Sequence, residues 1–225
     1  MATFVVRIWL PDRPGALGAV ASRIGAVRGD LVGIDILERG AGMAIDELVV
    51  ELSSEALVPL LLQELGEVDG VAVEEVRAIG SGGLPDPRVA ALDTAALLTA
   101  QGSPAAVMIA LATEAARDFE AGWVAVIDEE RVVHASHGEL PPAAWIAAFV
   151  AGGRSSRLVA SGAAGPDDMA WVDLPAADLA LVLARPGRPF RGRERRQLAA
   201  LARIADLRWT ELMRISSLRM HPSVV

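Results

Sequence analysis

One short run of glycine and proline constrains this chain more than any other feature. Gly80-Ser81-Gly82-Gly83-Leu84-Pro85-Asp86-Pro87-Arg88 separates two stretches that each carry regular apolar periodicity. Glycine is free at both backbone angles and proline donates no backbone hydrogen bond, so no regular element is expected to cross the run. The 225 residues therefore read as a first domain over 1–80, a linker and connecting helix over 81–103, a second domain over 104–215 and a loose tail over 216–225.

Within the first stretch the periodicity alternates between two and three-and-a-half. Phe4 to Leu10 is β-branched and apolar, which predicts a strand. Pro11-Asp12-Arg13-Pro14-Gly15 predicts a turn, with Asp12 as a helix cap. Leu17, Val20, Ile24 and Val27 recur at helical spacing, and Gly29 stops that helix. Strands follow over 31–37 and 45–52, joined by a hairpin-type turn at 39–42. Leu57, Leu60, Leu61, Leu65 and Val68 mark a second helix, and 71–79 a last strand. The order is β-α-β-β-α-β, the split βαβ or ferredoxin-like unit, in an α+β protein.

The second stretch is predicted to open with an alanine-rich helix over 88–100. Ser103 and Pro104 supply the cap and first residue of another helix, to Phe119. A hairpin spans 123–136 across Asp128-Glu129-Glu130. A short helix to Val150 is broken by Gly152-Gly153. Strands are predicted near 157–160, 170–174 and 179–184, and a long helix over 192–215.

Composition removes several chemistries. There is no cysteine, so disulfides, thiolate catalysis and zinc–thiolate sites are excluded. The chain also holds no lysine, asparagine or tyrosine; all 21 basic residues are arginines. Schiff-base lysines and the phosphate-loop lysine are thereby absent. Ser155, Ser156 and Ser161 lack the frame of a nucleophile elbow. No catalytic set stands out, and the chain reads as a non-enzyme without a cofactor. No apolar run approaches a membrane span and the N-terminus has no signal-peptide pattern, so a cytoplasmic protein is expected.

Charge is uneven. Residues 1–80 hold 6 Arg against 13 Asp and Glu, a balance of −7, while 81–225 hold 15 against 16. The acidic first domain argues against nucleic acid as its partner. Arg191, Arg193, Arg195 and Arg196 crowd the start of the last helix, and from Leu179 onward there are 10 Arg against 3 acids. That end is a candidate docking surface for a protein partner, or simply a solvated basic face. His134 and His137 invite a metal reading, but residues i and i+3 on a strand face opposite sides and no acidic cluster adjoins them, so no metal is expected.

The most informative motif is Asp12-Arg13-Pro14-Gly15-Ala16-Leu17, between a strand and a helix. A glycine there lets a ligand approach the backbone, and the helix start offers unpaired N–H groups to a carboxylate. A tight turn with no ligand is the alternative. Strand, D-R-P-G-x-L, helix, then G-D-L-V-G-I-D-I resembles an ACT domain over residues 3–79. The resemblance implies a homodimer that binds an amino acid between subunits. The turn side of the site would be Asp12, Arg13, Pro14, Gly15 and Leu17; the partner's strand would supply Leu31, Val32, Gly33 and Ile34. Many amino-acid-binding members have an asparagine here; in this chain Asp12 or Asp30 would hold the ammonium group. The second domain resembles a GAF domain, a sensory α/β fold with a central antiparallel sheet. The capped helix leading into WVAVIDEERVVHASHG, and DLALVLARPGRPF before a last helix, carry that likeness. Together they imply an amino-acid-sensing regulatory protein that relays binding through its second domain. The alternative is a dimeric interaction protein that docks a partner through its arginine-rich helix.

Overall fold

The structure, a computed structural model, describes residues 1–80, 86–160 and 166–220. It is a mixed α+β protein with two four-stranded antiparallel sheets and, among the described residues, seven α-helices. The chain falls into two compact units, Met1–Pro85 and Asp86–Val225.

The first unit runs β1 (Ala2–Pro11), α1 (Ala16–Ala26), β2 (Asp30–Gly40), β3 (Met43–Leu52), a 3-10 turn (Glu55–Leu57), α2 (Val58–Gly66) and β4 (Ala72–Ile79). The sheet order is β2-β3-β1-β4. β1 is central because its apolar residues bury on both faces. Phe4, Val6, Ile8 and Leu10 alternate toward the helices and meet Ala44, Leu48, Val50 and Leu52 of β3. Val20 and Ile24 of α1 and Leu61 and Leu65 of α2 close that core from above. The other face carries a cross-strand row in register, Asp35–Glu47–Arg7–Glu75. Arg7 is buried there and donates to Glu47 Oε1 from Nε (3.1 Å) and Nη2 (2.7 Å).

The second unit runs α3 (Pro87–Thr99), α4 (Pro104–Asp118), β5 (Trp123–Ile127), β6 (Val133–Gly138), α5 (Ala143–Ser155), α6 (Arg157–Ala160), β7 (Met169–Leu174), β8 (Leu179–Ala184) and α7 (Gly192–Met220). The sheet order is β6-β5-β8-β7. β8 is buried on both faces. One face packs on α3, α4 and α7, the other on α5, so the sheet is the middle of three layers. Ser103 caps α4 as expected, accepting from Ala106 N at 3.2 Å.

Several expectations are corrected. Residues 157–160 are helical, not a strand: the Ser156 hydroxyl accepts from Val159 N and starts a turn. α5 runs through Gly152-Gly153 instead of stopping there. Pro87 does not exclude regular structure; it is the first residue of α3, capped by Asp86, which accepts from Arg88 N at 2.8 Å. The expected tail is helical to Met220, because Ser216 and Ser217 bond back to Leu212 O and Arg214 O instead of breaking the helix. Residues 81–85 of the predicted linker and 221–225 of the tail lie outside the described residues. Among those described, no helix is long and apolar enough to cross a membrane.

Candidate functional site

The turn between β1 and α1 is tied to the β2–β3 hairpin, since Asp12 N donates to Gly42 O at 2.9 Å. Arg13 N folds back on Pro11 O (2.8 Å) and Ala16 N on Arg13 O (3.3 Å). The chain then enters α1 through Gly15, at φ 89 and ψ −15. Those angles are left-handed, where a side chain is strained by about 1–2 kcal/mol. Asp12 does not cap α1. The N-cap is Gly15 and no side chain bonds the first turn, because Arg13 and Pro14 separate Asp12 from the helix. The helix start therefore keeps N–H groups without side-chain acceptors. A Cβ built at Gly15 or Gly18 would meet nothing within 4 Å, so the space above the first turn is open.

The charged side chains of the turn form loose pairs. Asp12 Oδ1 is 4.0 Å from Arg39 Nε, and Arg13 Nη2 is 3.9 Å from Asp69 Oδ2. Pro14 is exposed and Leu17 packs on the core. Asp46 belongs to the same end of the unit and was missed by the sequence reading. It lies opposite Ile8 and Ile36 in register, on the helix side of the sheet, and is 4% exposed. Its Oδ1 meets no hydrogen-bond donor. Burial raises its pKa; Arg39 lowers it, and Asp12 raises it, through space. The signal was available: Ala44, Leu48, Val50 and Leu52 are the core-facing alternation of β3, and residue 46 falls in that row.

β2 is an edge strand. Leu31 packs on the core, Val32 is exposed at a register shift between Leu31 and Gly33, and Ile34 lies opposite Leu48. Gly33 lies opposite Val49, on the face away from α1. A Cβ there would approach Val49 Cγ2 to 3.0 Å, so its own sheet accounts for the glycine. Within one chain, then, Gly15 and Gly33 serve different faces. Asp30 is exposed at the start of β2, opposite Glu51.

The arginine-rich segment is largely internal stitching. Arg185 is buried and donates to the carbonyls of Phe119 (3.2 Å), Arg188 (2.9 Å) and Pro189 (2.8 Å) and to Glu194 (2.7 Å). Its guanidinium lies 4.1 Å from the Phe190 ring centroid. Glu194 also accepts from Arg191 N at 2.8 Å, the returning half of a capping box at the start of α7. Arg195 Nη2 donates to Met169 O at 2.9 Å. Arg191 and Arg193 are half-buried and Arg196 is exposed.

At one end of the second sheet a cleft of about 270 Å³ has Ile127, Ala147, Val150 and Ala180 beneath Asp128, Glu129 and Arg154. Its charges are engaged: Arg154 donates to Glu129 (2.5 Å) and Asp173 (2.7 Å), and the bond to Asp173 holds the guanidinium charged against desolvation. His134 Nε2 lies 2.8 Å from Asp128 Oδ2, a bond that keeps the Asp128 carboxyl below its ordinary range. His137 is exposed on the same strand. Among the described residues no group of three His, Asp or Glu is placed to hold a metal ion. Set against known proteins, the chain matches no protein-family model and no curated sequence.

Proposed function

We propose that this chain is a regulatory protein that senses an amino acid at the start of α1 in its first unit and relays binding through its second. The observation that carries this reading is the uncapped first turn of α1, entered through left-handed Gly15 with open space over Gly15 and Gly18. Orphan N–H groups and the helix dipole suit a ligand carboxylate. The βαββαβ order with sheet order β2-β3-β1-β4 supports a ferredoxin-like, ACT-type reading of residues 1–80. A sheet between α3, α4 and α7 on one side and α5 on the other supports the GAF-like one for 104–215. The exposed Val32, Ile34 and Ile36 of edge strand β2 favour pairing with a second copy. Function on this reading is regulatory and not catalytic. Thermal shift of the full chain against the common L-amino acids, one at a time, tests it. A ligand at 100 times its dissociation constant adds about 2.7 kcal/mol of stability; no shift with any of them rejects the sensor.

One observation favours the second reading, an interaction protein. Arg196, Arg203 and Arg214 are exposed on α7 and fall on one stripe, given about 3.6 residues per turn. Loss of an acidic protein partner on neutralising these three, in a chain that binds no amino acid, would establish it.

A further inference from the structure

We infer that α3 is a self-pairing helix: its outer side meets the same helix of a second copy, in parallel, along a seam of Val89, Leu92, Ala96 and Thr99. This rests on the homodimer of the sensor reading, and goes beyond it in naming the element through which pairing of the first unit reaches the second. Among the described side chains of α3 only Thr94 and Leu98 are buried. Thr94 donates to Asp118 Oδ2 of α4 at 2.8 Å, and Leu98 enters the core formed with α4 and α7. At about 3.6 residues per turn, positions 94 and 98 share one side of the helix, and 89, 92, 96 and 99 share the opposite side. That opposite side is apolar as well. Val89 is 53% exposed and Leu92 70%, the largest exposure of any large apolar side chain among the described residues after Met1. A helix that is apolar on both sides is ordinarily covered on both.

Spacing and charge name what covers it. Steps of three, four and three residues are those of the a and d positions of a heptad, the seam along which two helices supercoil. α3 has only two charged residues, Arg88 and Asp93, and both are exposed. With Val89 at a and Leu92 at d, Arg88 falls at g and Asp93 at e, on opposite flanks of the seam. In a parallel pair, g of one helix faces e of the other five residues on. Arg88 then meets Asp93 of the partner subunit, and the two-fold repeats the contact. An antiparallel pair sets e against e, and so sets Asp93 against its own copy. An exposed ion pair adds little strength, so this one orients the helices and does not hold them. A seam of two heptads is also short. It closes in chains already joined along β2, at the local concentration that joining provides.

The chain has no cysteine, so a single introduced thiol reports this contact without background. The full chain carrying Leu92→Cys is oxidised at micromolar concentration and read by non-reducing electrophoresis, beside Ala91→Cys, an exposed position off the seam. Facing d positions of a parallel pair lie within disulfide reach. The expected result is a covalent dimer from Leu92→Cys that forms about tenfold or more faster than from Ala91→Cys, and that slows by a similar factor when Ile34→Lys is added. Adding Asp93→Arg to Leu92→Cys should slow it too, and adding Arg88→Asp to that should restore it. Both thiol variants should melt as wild type does, because both positions are exposed. Equal rates at positions 91 and 92, in a chain that sediments as a dimer, overturn the helix pair and leave the β2 dimer standing. Fast cross-linking at 92 that ignores Ile34→Lys keeps the helix pair and overturns its dependence on β2. Failure of Arg88→Asp to restore the rate overturns the parallel register. No dimer by either measure overturns both the pair and the homodimer.

Discussion

Single residues in this chain answer to backbone geometry before they answer to ligands. Gly15 holds a left-handed φ of 89, so Gly15→Val is a folding variant and not a clean probe of binding. It should lower stability by about 1–2 kcal/mol or more, read by denaturant titration. Gly153 is fixed for another reason. A Cβ there would run into the Trp171 indole, 2.6 Å from Cε2. Gly153→Ala should cost about 1–3 kcal/mol by overpacking. Asp46 carries a pH signature whose sign follows from burial. Its folded pKa is raised, so the native state holds its proton more tightly than the unfolded chain. The stability this contributes is complete below the ordinary carboxylate range and is lost as pH rises through the raised value. Asp46→Asn should therefore gain on wild type as pH rises toward neutrality and match it in acid, measured as melts across that range. Asp46 was legible in the alternation of β3, yet a polar residue in a strand is usually taken for the solvated face. Asp12 was misjudged because Asp before a helix commonly caps it; only the geometry of Pro14-Gly15 removes it from reach.

At the scale of elements, strands were legible where β-branched runs are bounded by turn residues. β1, β3 and β8 fall within a few residues of their predicted spans. Short segments were not, because four residues carry too little periodicity to outweigh a local hydrogen bond such as Ser156 to Val159. Glycine pairs were overread as breakers: α5 continues through Gly152-Gly153, where packing on Trp171 outweighs the modest helix penalty of glycine. The edge strand β2 yields the prediction that belongs here. Ile34 is 44% exposed, so Ile34→Lys should leave the melting temperature of the monomer nearly unchanged. A charge on an open edge opposes strand addition. Sedimentation should then show wild type as a dimer and the variant as a monomer; a variant that still dimerises places the interface elsewhere.

The whole molecule has two units, each with its own core, one built on β1 and the other on β5 and β8. Expressed separately, residues 1–85 and 86–225 should each give a cooperative melt by circular dichroism. If either fragment is unfolded, the division at Pro85 fails. The double-sided burial of β8 bears on what happens before the native state forms. Leu179–Ala184 is LALVLA, an uncharged, proline-free hexapeptide. In a nascent or heat-softened chain it is a ready nucleus for intermolecular aggregation. Only Asp178 before it and Arg185 after it guard its ends, and in the native state Arg185 is withdrawn into bonds with Phe119, Pro189 and Glu194. The same guanidinium thus acts twice, as a charge that keeps unfolded copies apart and later as a knot between α4 and α7. Replacing it with a neutral residue should show first as insoluble protein during synthesis.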